Sequence, residues 1–96
     1  MTTSQEQVTV ELLFQQGTRA LRLKKRFEGE VLPGVGGQLR IPSPHAGLML
    51  ESRLVDRSAE GVLKGMTVAV PSIIDILQLR QWLIQNDWKP ATELGL

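Results

Sequence analysis

Cysteine is absent from all 96 positions of the chain, and histidine occurs only once. The lack of cysteine excludes disulfide bonds, thiolate chemistry and zinc sites with cysteine ligands. The single histidine, His45, has no carboxylate near it in the sequence at a spacing typical of a metal site. We therefore expect neither a metal nor a cofactor.

Long apolar runs are also missing. No run approaches the ~20 residues that a membrane-spanning helix needs. Residues 1–7 are polar and lack the basic and then apolar layout of a secretory signal. These features predict a cytoplasmic protein without membrane contact. They also predict a single domain at 8–90, between a flexible N-terminal tail at 1–7 and a C-terminal tail at 91–96.

Alternating apolar and polar residues predict a β-hairpin over about Gln7 to Val31, with its turn at Gly17. Similar alternation predicts a second hairpin, whose strands cover about 48–55 and 62–70. Residues 29–47 hold eight of the fourteen glycine and proline residues, which favours an irregular loop or a short edge strand there.

A helical pattern follows the second hairpin. Ser72 is suited to the N-cap and Asp75 to the first turn, while Lys89 and Pro90 mark the end. The apolar stripe consists of Ile73, Ile76, Leu77, Leu83 and Ile84, extended by Trp88. The predicted fold is α+β: an antiparallel sheet of four to five strands, able to curl toward a partly open barrel, with one C-terminal helix packed on one face.

Charge is segregated in one place. Five of the eleven basic residues lie between Arg19 and Arg26, and no acid occurs at positions 12–27. In an extended strand Arg22, Lys24 and Arg26 project from one face at intervals of about 6–7 Å. That spacing is close to the phosphate repeat of a nucleic-acid strand, and guanidinium groups bind phosphate well. Together with Arg19, these three residues are the candidates for binding an anion or a partner.

Several interpretations of these cations remain open. Their alternation is also typical of a solvated outer face, balanced by Glu11, Glu28 and Glu51 on neighbouring strands. An acidic protein partner would bind the same row, and so would a nucleic acid or a phosphorylated small ligand. No exposed aromatic residue alternates with the cations and the domain is nearly neutral, which favours a protein partner over a nucleic acid.

Two short segments resemble those of a ligand-binding family. Residues 22–26 have the form Arg-x-x-x-Arg, and residues 56–61 have the form Asp-x-Ser-x-x-Gly. In this order they are similar to the two motifs of PilZ domains, small β-barrels that bind cyclic di-GMP. The resemblance implies that the arginines grip the dinucleotide and that the Asp and Ser segment lies against it. It covers eleven residues, and here a predicted strand precedes the arginine motif, so the functional prediction does not depend on it.

The predicted helix is apolar on more than one side. Leu79 and Trp82 lie beside or behind the main stripe, and tryptophan is frequent at interface hot spots. A broad core face explains the same pattern. We predict self-association, as a dimer, through Leu79 and Trp82.

The sequence thus predicts a small non-enzymatic interaction or regulatory module that self-associates and contacts an acidic partner through its basic strand. The alternative is a binder of nucleic acid or of a phosphorylated, cyclic dinucleotide-like ligand on the same strand. A weaker alternative is a small enzyme that uses His45 and carboxylates in a cleft. The carboxylates available for this are Glu28, Glu30, Glu51, Asp56 and Glu60.

Overall fold

Gly17 and Thr18 form the turn between the two longest strands, which confirms the predicted first hairpin. Gly17 has a φ of 61° and Thr18 has a negative φ, as in a type II′ turn with glycine at its first central position. The computed structural model describes residues 7–28 and 32–91. Its elements are β1 (Gln7–Gln16), β2 (Arg19–Glu28), β3 (Gln38–Pro42), β4 (Met49–Arg57), β5 (Leu63–Gly65), β6 (Val68–Ala69), α1 (Ile76–Gln85) and β7 (Lys89–Pro90).

Some of the segments predicted from the sequence lie outside the residues that the structure describes. The expected tails at 1–6 and 92–96, and Glu30, lie outside the described residues. Gln7 belongs to β1, and Ala91 donates a backbone hydrogen bond of 2.9 Å to the carbonyl of Arg22. Gln7 is therefore part of the sheet, and Ala91 is hydrogen-bonded to it.

The prediction of an antiparallel sheet of four to five strands is wrong in both strand number and direction. Among the described residues the sheet has seven strands in the order β3-β4-β5-β1-β2-β7, with β6 also pairing with β1. β5 and β6 both run parallel to β1. They are two short strands that follow one another along β1, and Met66 and Thr67 between them belong to no strand. The result is a mixed, curled half-barrel that carries one short helix, and the α+β class is confirmed.

The hydrophobic core is built largely from the inner face of this sheet and α1. Alternate residues of β1 are buried there: Val8, Val10, Leu12 and Phe14. The helix contributes Ile76, Leu79 and Leu83. These four residues of β1 belong to one buried cluster with Leu79 and Leu83 of α1 and with Trp88, which accounts for the burial of the apolar face of β1.

The helix begins at Ile76, three residues later than a Ser72 N-cap predicts. The Gln16 side-chain amide donates to the carbonyls of Pro71 (2.8 Å) and Ile74 (2.6 Å), and the Ile74 N–H donates to Pro71 (3.0 Å). These bonds hold 71–74 as a turn, and Asp75 becomes the N-cap without a side-chain capping bond. No helix among the described residues is long and apolar enough to cross a membrane.

Gly65 permits the close approach of β5 to its neighbours. A Cβ atom at this position would overlap Ser52 Oγ and approach Leu12 Cδ2 to 2.7 Å. Ser52 is the one buried polar residue among those described, and its hydroxyl donates to the Met66 carbonyl at 2.7 Å. The crowding therefore falls on a hydrogen-bonded group that has little freedom to move.

We predict that Gly65→Ala lowers the free energy of unfolding by about 1–3 kcal/mol, because the added methyl overpacks the β4–β5 contact. Gly34→Ala is the matched control, since a Cβ there meets nothing within 4 Å. Urea denaturation of the two variants checks this. Equal stability of the two variants would contradict the packing argument.

Candidate functional site

Five strands place a charged residue at the same level of the sheet, and the signs alternate until the last pair. The register joins Asp56 to Lys64, Lys64 to Glu11 and Glu11 to Lys24, and each of these pairs is opposite in charge. The next pair, Lys24 and Lys89, brings two cations directly opposite one another. Like charges in this position are destabilising. The positive charge where β2 meets β7 is therefore not balanced by the register of the sheet.

Neighbouring carboxylates do not neutralise this pair. Glu11 Oε2 lies 3.4 Å from Arg22 Nη1, so the carboxylate next to Lys24 is already paired with another cation. Neither Lys24 nor Lys89 makes an ion pair with any residue that the structure describes. The excess charge is therefore available to a ligand or partner.

The end of α1 positions Lys89 beside β2. The N–H groups of Asp87 and Trp88 donate to the carbonyls of Ile84 (3.2 Å) and Leu83 (3.0 Å), the pattern of a Schellman motif. Asp87 occupies the left-handed position of that motif, with a φ of 76°, where glycine is the usual residue. The chain leaves the helix there and reaches the sheet two residues later.

Trp88 fixes this segment to the hairpin. It is buried, and its ring packs edge-to-face against Phe14 and Phe27, with centroids 5.8 Å and 6.1 Å away. Such pairs contribute about 0.5–1.5 kcal/mol beyond the area that they bury. Since residues in a strand alternate between faces, an inward Trp88 turns Lys89 to the outer face beside Lys24.

A cleft of about 510 Å³ lies along β2 at this point. It is lined by Thr9, Lys24, Lys25, Arg26, Asp87 and Lys89. Four of these residues are cationic and one is acidic, so the cleft has the charge to hold an anion. The Arg26 guanidinium also donates to Gln7 Oε1 at 3.3 Å, which orients it on the outer face.

Only two of the four residues predicted to bind an anion line the cleft, Lys24 and Arg26. Arg22 is paired with Glu11, and Arg19 lies opposite Gln16 at the turn end of the hairpin. Sequence reasoning missed Lys89, because nothing local shows that a two-residue strand after the helix pairs with β2.

It also left out Lys25, whose parity puts it on the inner side of β2. The Lys25 ammonium lies 5.0 Å from the centre of the Phe27 ring, a cation–π contact. Its position on the inner side explains why alternation alone separated it from its basic neighbours. The cleft opens at the edge of β2 and so brings residues of both parities together.

The two residues predicted to form an interface lie in different surroundings. Leu79 is completely buried in the core and offers no surface. Trp82 is half-buried, and its indole N–H donates to the Pro42 carbonyl at 3.0 Å. The exposed side of α1 instead carries Leu77 and Ile84, and Ile73 is exposed just before the helix.

His45 lies in an exposed loop beside a hollow of about 80 Å³. Asp75 also lines the hollow, but Glu28, Glu51, Asp56 and Glu60 do not. Within 7–28 and 32–91, no group of three or more histidine and acidic side chains could hold a metal ion. Asp75 is therefore the one carboxylate that lines this hollow with His45, and their arrangement indicates no further chemistry for the histidine.

The two segments that resemble PilZ motifs are not brought together. Arg22 and Arg26 lie on β2, whereas Asp56 lies at the end of β4 and Ser58 just after it. β5 and β1 lie between these two strands in the sheet. Comparison of the chain with protein-family models, with curated proteins and with solved structures finds no match.

The Lys24–Lys89 pair gives a direct test of the charge pattern. We predict that Lys89→Glu raises the free energy of unfolding by about 0.5 kcal/mol at low salt, because a like-charged pair becomes an attractive one. Lys64→Glu should lower it, since Lys64 lies between Glu11 and Asp56. Urea denaturation at low and high salt measures both changes. A Lys89→Glu variant that is less stable than the natural chain would show that Lys24 and Lys89 do not repel.

Proposed function

We propose that this chain is a non-catalytic binding module that contacts an acidic partner through β2 and the basic cleft beside it. One observation supports this above the others: Lys24, Lys25, Arg26 and Lys89 line a single cleft with Asp87 as its only acid. On a simple solvated face we would expect opposite charges on neighbouring strands, as in the row from Asp56 to Lys24. A cluster of four cations in one cleft departs from that pattern.

The physics of exposed charges sets the character of the interaction. An exposed ion pair contributes about 0.2–1 kcal/mol, so the four cations together supply at most a few kcal/mol. Such contacts raise association rates and weaken with ionic strength, because salt screens charges beyond about 10 Å at 0.1 M. The partner is therefore bound reversibly and in a salt-sensitive manner.

A nucleic acid fits the cleft less well than an acidic protein does. Proteins that bind single-stranded nucleic acid use exposed aromatic rings as stacking platforms for the bases. Among the described residues no aromatic side chain lines the cleft, and Trp88 packs inward against Phe14 and Phe27. A phosphate-bearing ligand remains the second candidate, since it would meet the same cations.

We predict that the double variant Lys24→Glu, Arg26→Glu loses binding to a labelled polyglutamate peptide by at least tenfold at low salt, in line with several charge contacts of about 0.2–1 kcal/mol each reversed in sign. Fluorescence anisotropy at 20 mM and 200 mM salt, about threefold apart in Debye length, measures the loss. Arg53→Glu is the matched control, as Arg53 is an exposed arginine on β4, away from the cleft.

Asp87→Asn supplies the opposite change. It removes the acid from the cleft, and asparagine tolerates the left-handed conformation of that position. Binding should become tighter. Equal binding by the double variant and the Arg53→Glu variant, or weaker binding by Asp87→Asn, would argue that the cleft does not receive the peptide.

Self-association through α1 stays a prediction, and the structure changes the residues that would carry it. Leu79 is buried, whereas Ile73 and Leu77 are 64% and 56% exposed. Ile84 lies on the same side of the helix as Leu77, seven residues on, and is also exposed. Trp82 is the predicted interface residue that retains some surface.

We predict that Leu77→Glu reduces the mass in solution to that of one 10.7 kDa chain, because it places a charge in the centre of this apolar surface. Val55→Glu, an exposed apolar position on β4, serves as the control. Sedimentation analysis measures the masses. A natural chain that sediments as a monomer would rule out the dimer directly.

A further inference from the structure

We propose that the acidic partner presents an extended segment that pairs with the outer edge of β2, beyond the end of β7, as an additional strand of the sheet. The inference rests on the proposed function, since it specifies how the partner occupies the basic cleft. It concerns the main-chain groups of β2, whereas the proposed function concerns only its charges.

The edge of β2 has hydrogen-bonding groups directed away from β1. The Ala91 N–H donates to the Arg22 carbonyl at 2.9 Å, so Arg22 faces the β7 side. Because main-chain groups alternate in direction along a strand, Lys24, Arg26 and Glu28 face that side as well. β7 pairs with Leu23 and Lys24 alone, and the edge from Lys25 to Glu28 has no strand beside it among the described residues.

β7 does not extend along this edge because of the way in which the helix ends. Continuing the register would place Asp87 opposite Arg26. Asp87 has a φ of 76°, outside the extended region, and its N–H already donates to the Ile84 carbonyl. No backbone hydrogen bond joins Arg26 to any described residue on that side. The edge therefore begins where the helix cap makes strand pairing impossible for the chain itself.

The cleft lies at this place. Lys24, Lys25 and Arg26 of β2 line it, together with Asp87 and Lys89 from the segment after α1. A segment pairing about 4.8 Å from β2 beyond β7 would direct every second side chain to the outer face, one of them opposite Arg26 and diagonal to Lys24. A carboxylate at that position would meet both cations, and the excess of cations over acids in the cleft identifies an acidic, extended peptide as the occupant.

The opposite edge of the sheet is protected in a different way. β3 has only five residues and ends in Pro42, which has no N–H to donate. Its exposed Arg40 lies 3.5 Å from Glu51 on β4, so its charge is paired. β2 is twice as long and contains no proline. At its edge, cations without an ion-pair partner take the place of the short length and the proline that protect β3.

The cations at the edge of β2 also disfavour a second copy of this chain as the strand that pairs there. Two copies that met along the same edge would bring two basic clefts together, and basic residues on edge strands are a known protection against such pairing. The same charges attract an acidic strand. The cations thus disfavour pairing with a second copy and favour a partner of opposite charge.

The experiment compares three peptides with one sequence of alternating glutamate and valine, using the full 96-residue chain labelled with ¹⁵N. One peptide is unmodified, one is N-methylated at its glutamates and one at its valines. We take the added strand to run antiparallel to β2, as β7 does, so the residue opposite Arg26 points its N–H group at β2. Methylation of the glutamates therefore removes donors to the β2 edge, whereas methylation of the valines does not.

We expect the glutamate-methylated peptide to bind about tenfold more weakly than the other two, as the loss of two hydrogen bonds of about 0.5–1.5 kcal/mol each would give. The unmodified peptide should also slow the hydrogen exchange of the Arg26 and Glu28 amides. Lys25, which faces β1 by the same alternation, is the internal control.

Three equally tight peptides, with no protection of Arg26 and Glu28, would overturn strand pairing while leaving an ionic contact with the cleft intact. Failure of all three to bind would overturn the proposed function itself. Inorganic tripolyphosphate serves as the small-anion probe. If it displaces the unmodified peptide and reproduces the protection of both amides, the site is one for phosphate rather than for a strand, and the inference is wrong.

Discussion

The candidate site depends on the contact of Trp88 with Phe14 and Phe27. This contact joins the segment after α1 to the inner face of the hairpin, and the two residues that flank Trp88 become part of the cleft. Apart from this contact, the segment is joined to β2 mainly by the two-residue pairing of β7. The aromatic cluster thus places the end of the helix as one wall of the cleft.

Burial and charge act on opposite faces of the same strands. Leu23 of β2 is buried, whereas its neighbours Arg22 and Lys24 face outward. One helix contributes to the core on the apolar side of the curled sheet. On the polar side, opposite charges pair across four strands, and the first pair of like charges is the one between β2 and β7. The surplus of charge at one edge is a property of the register, since the net charge of the whole chain is only +1.

Patterns that act over a few residues could be predicted from the sequence, and pairings over long distances could not. Alternation around Gly17 predicts the hairpin, and with it the outward direction of Lys24 and Arg26. The parallel pairing of Val10 with Leu63 has no local signal. The late start of α1 is associated with Gln16, which is far away in sequence and donates to the Ile74 carbonyl, a group that the first helical turn would use. Lys89 was missed for the same reason, because its neighbour Lys24 lies on a distant strand.

The position of Asp87 has a consequence for the choice among partners. It adopts a backbone conformation that glycine adopts more readily, and it places a carboxylate among four cations. This carboxylate acts as a built-in competitor for any anion that enters the cleft. Simple monovalent anions gain little by entering beside it, whereas a partner with several carboxylates in a row can outcompete it. For the proposed acidic partner, Asp87 would thus set a threshold on the number of charges that the partner must carry.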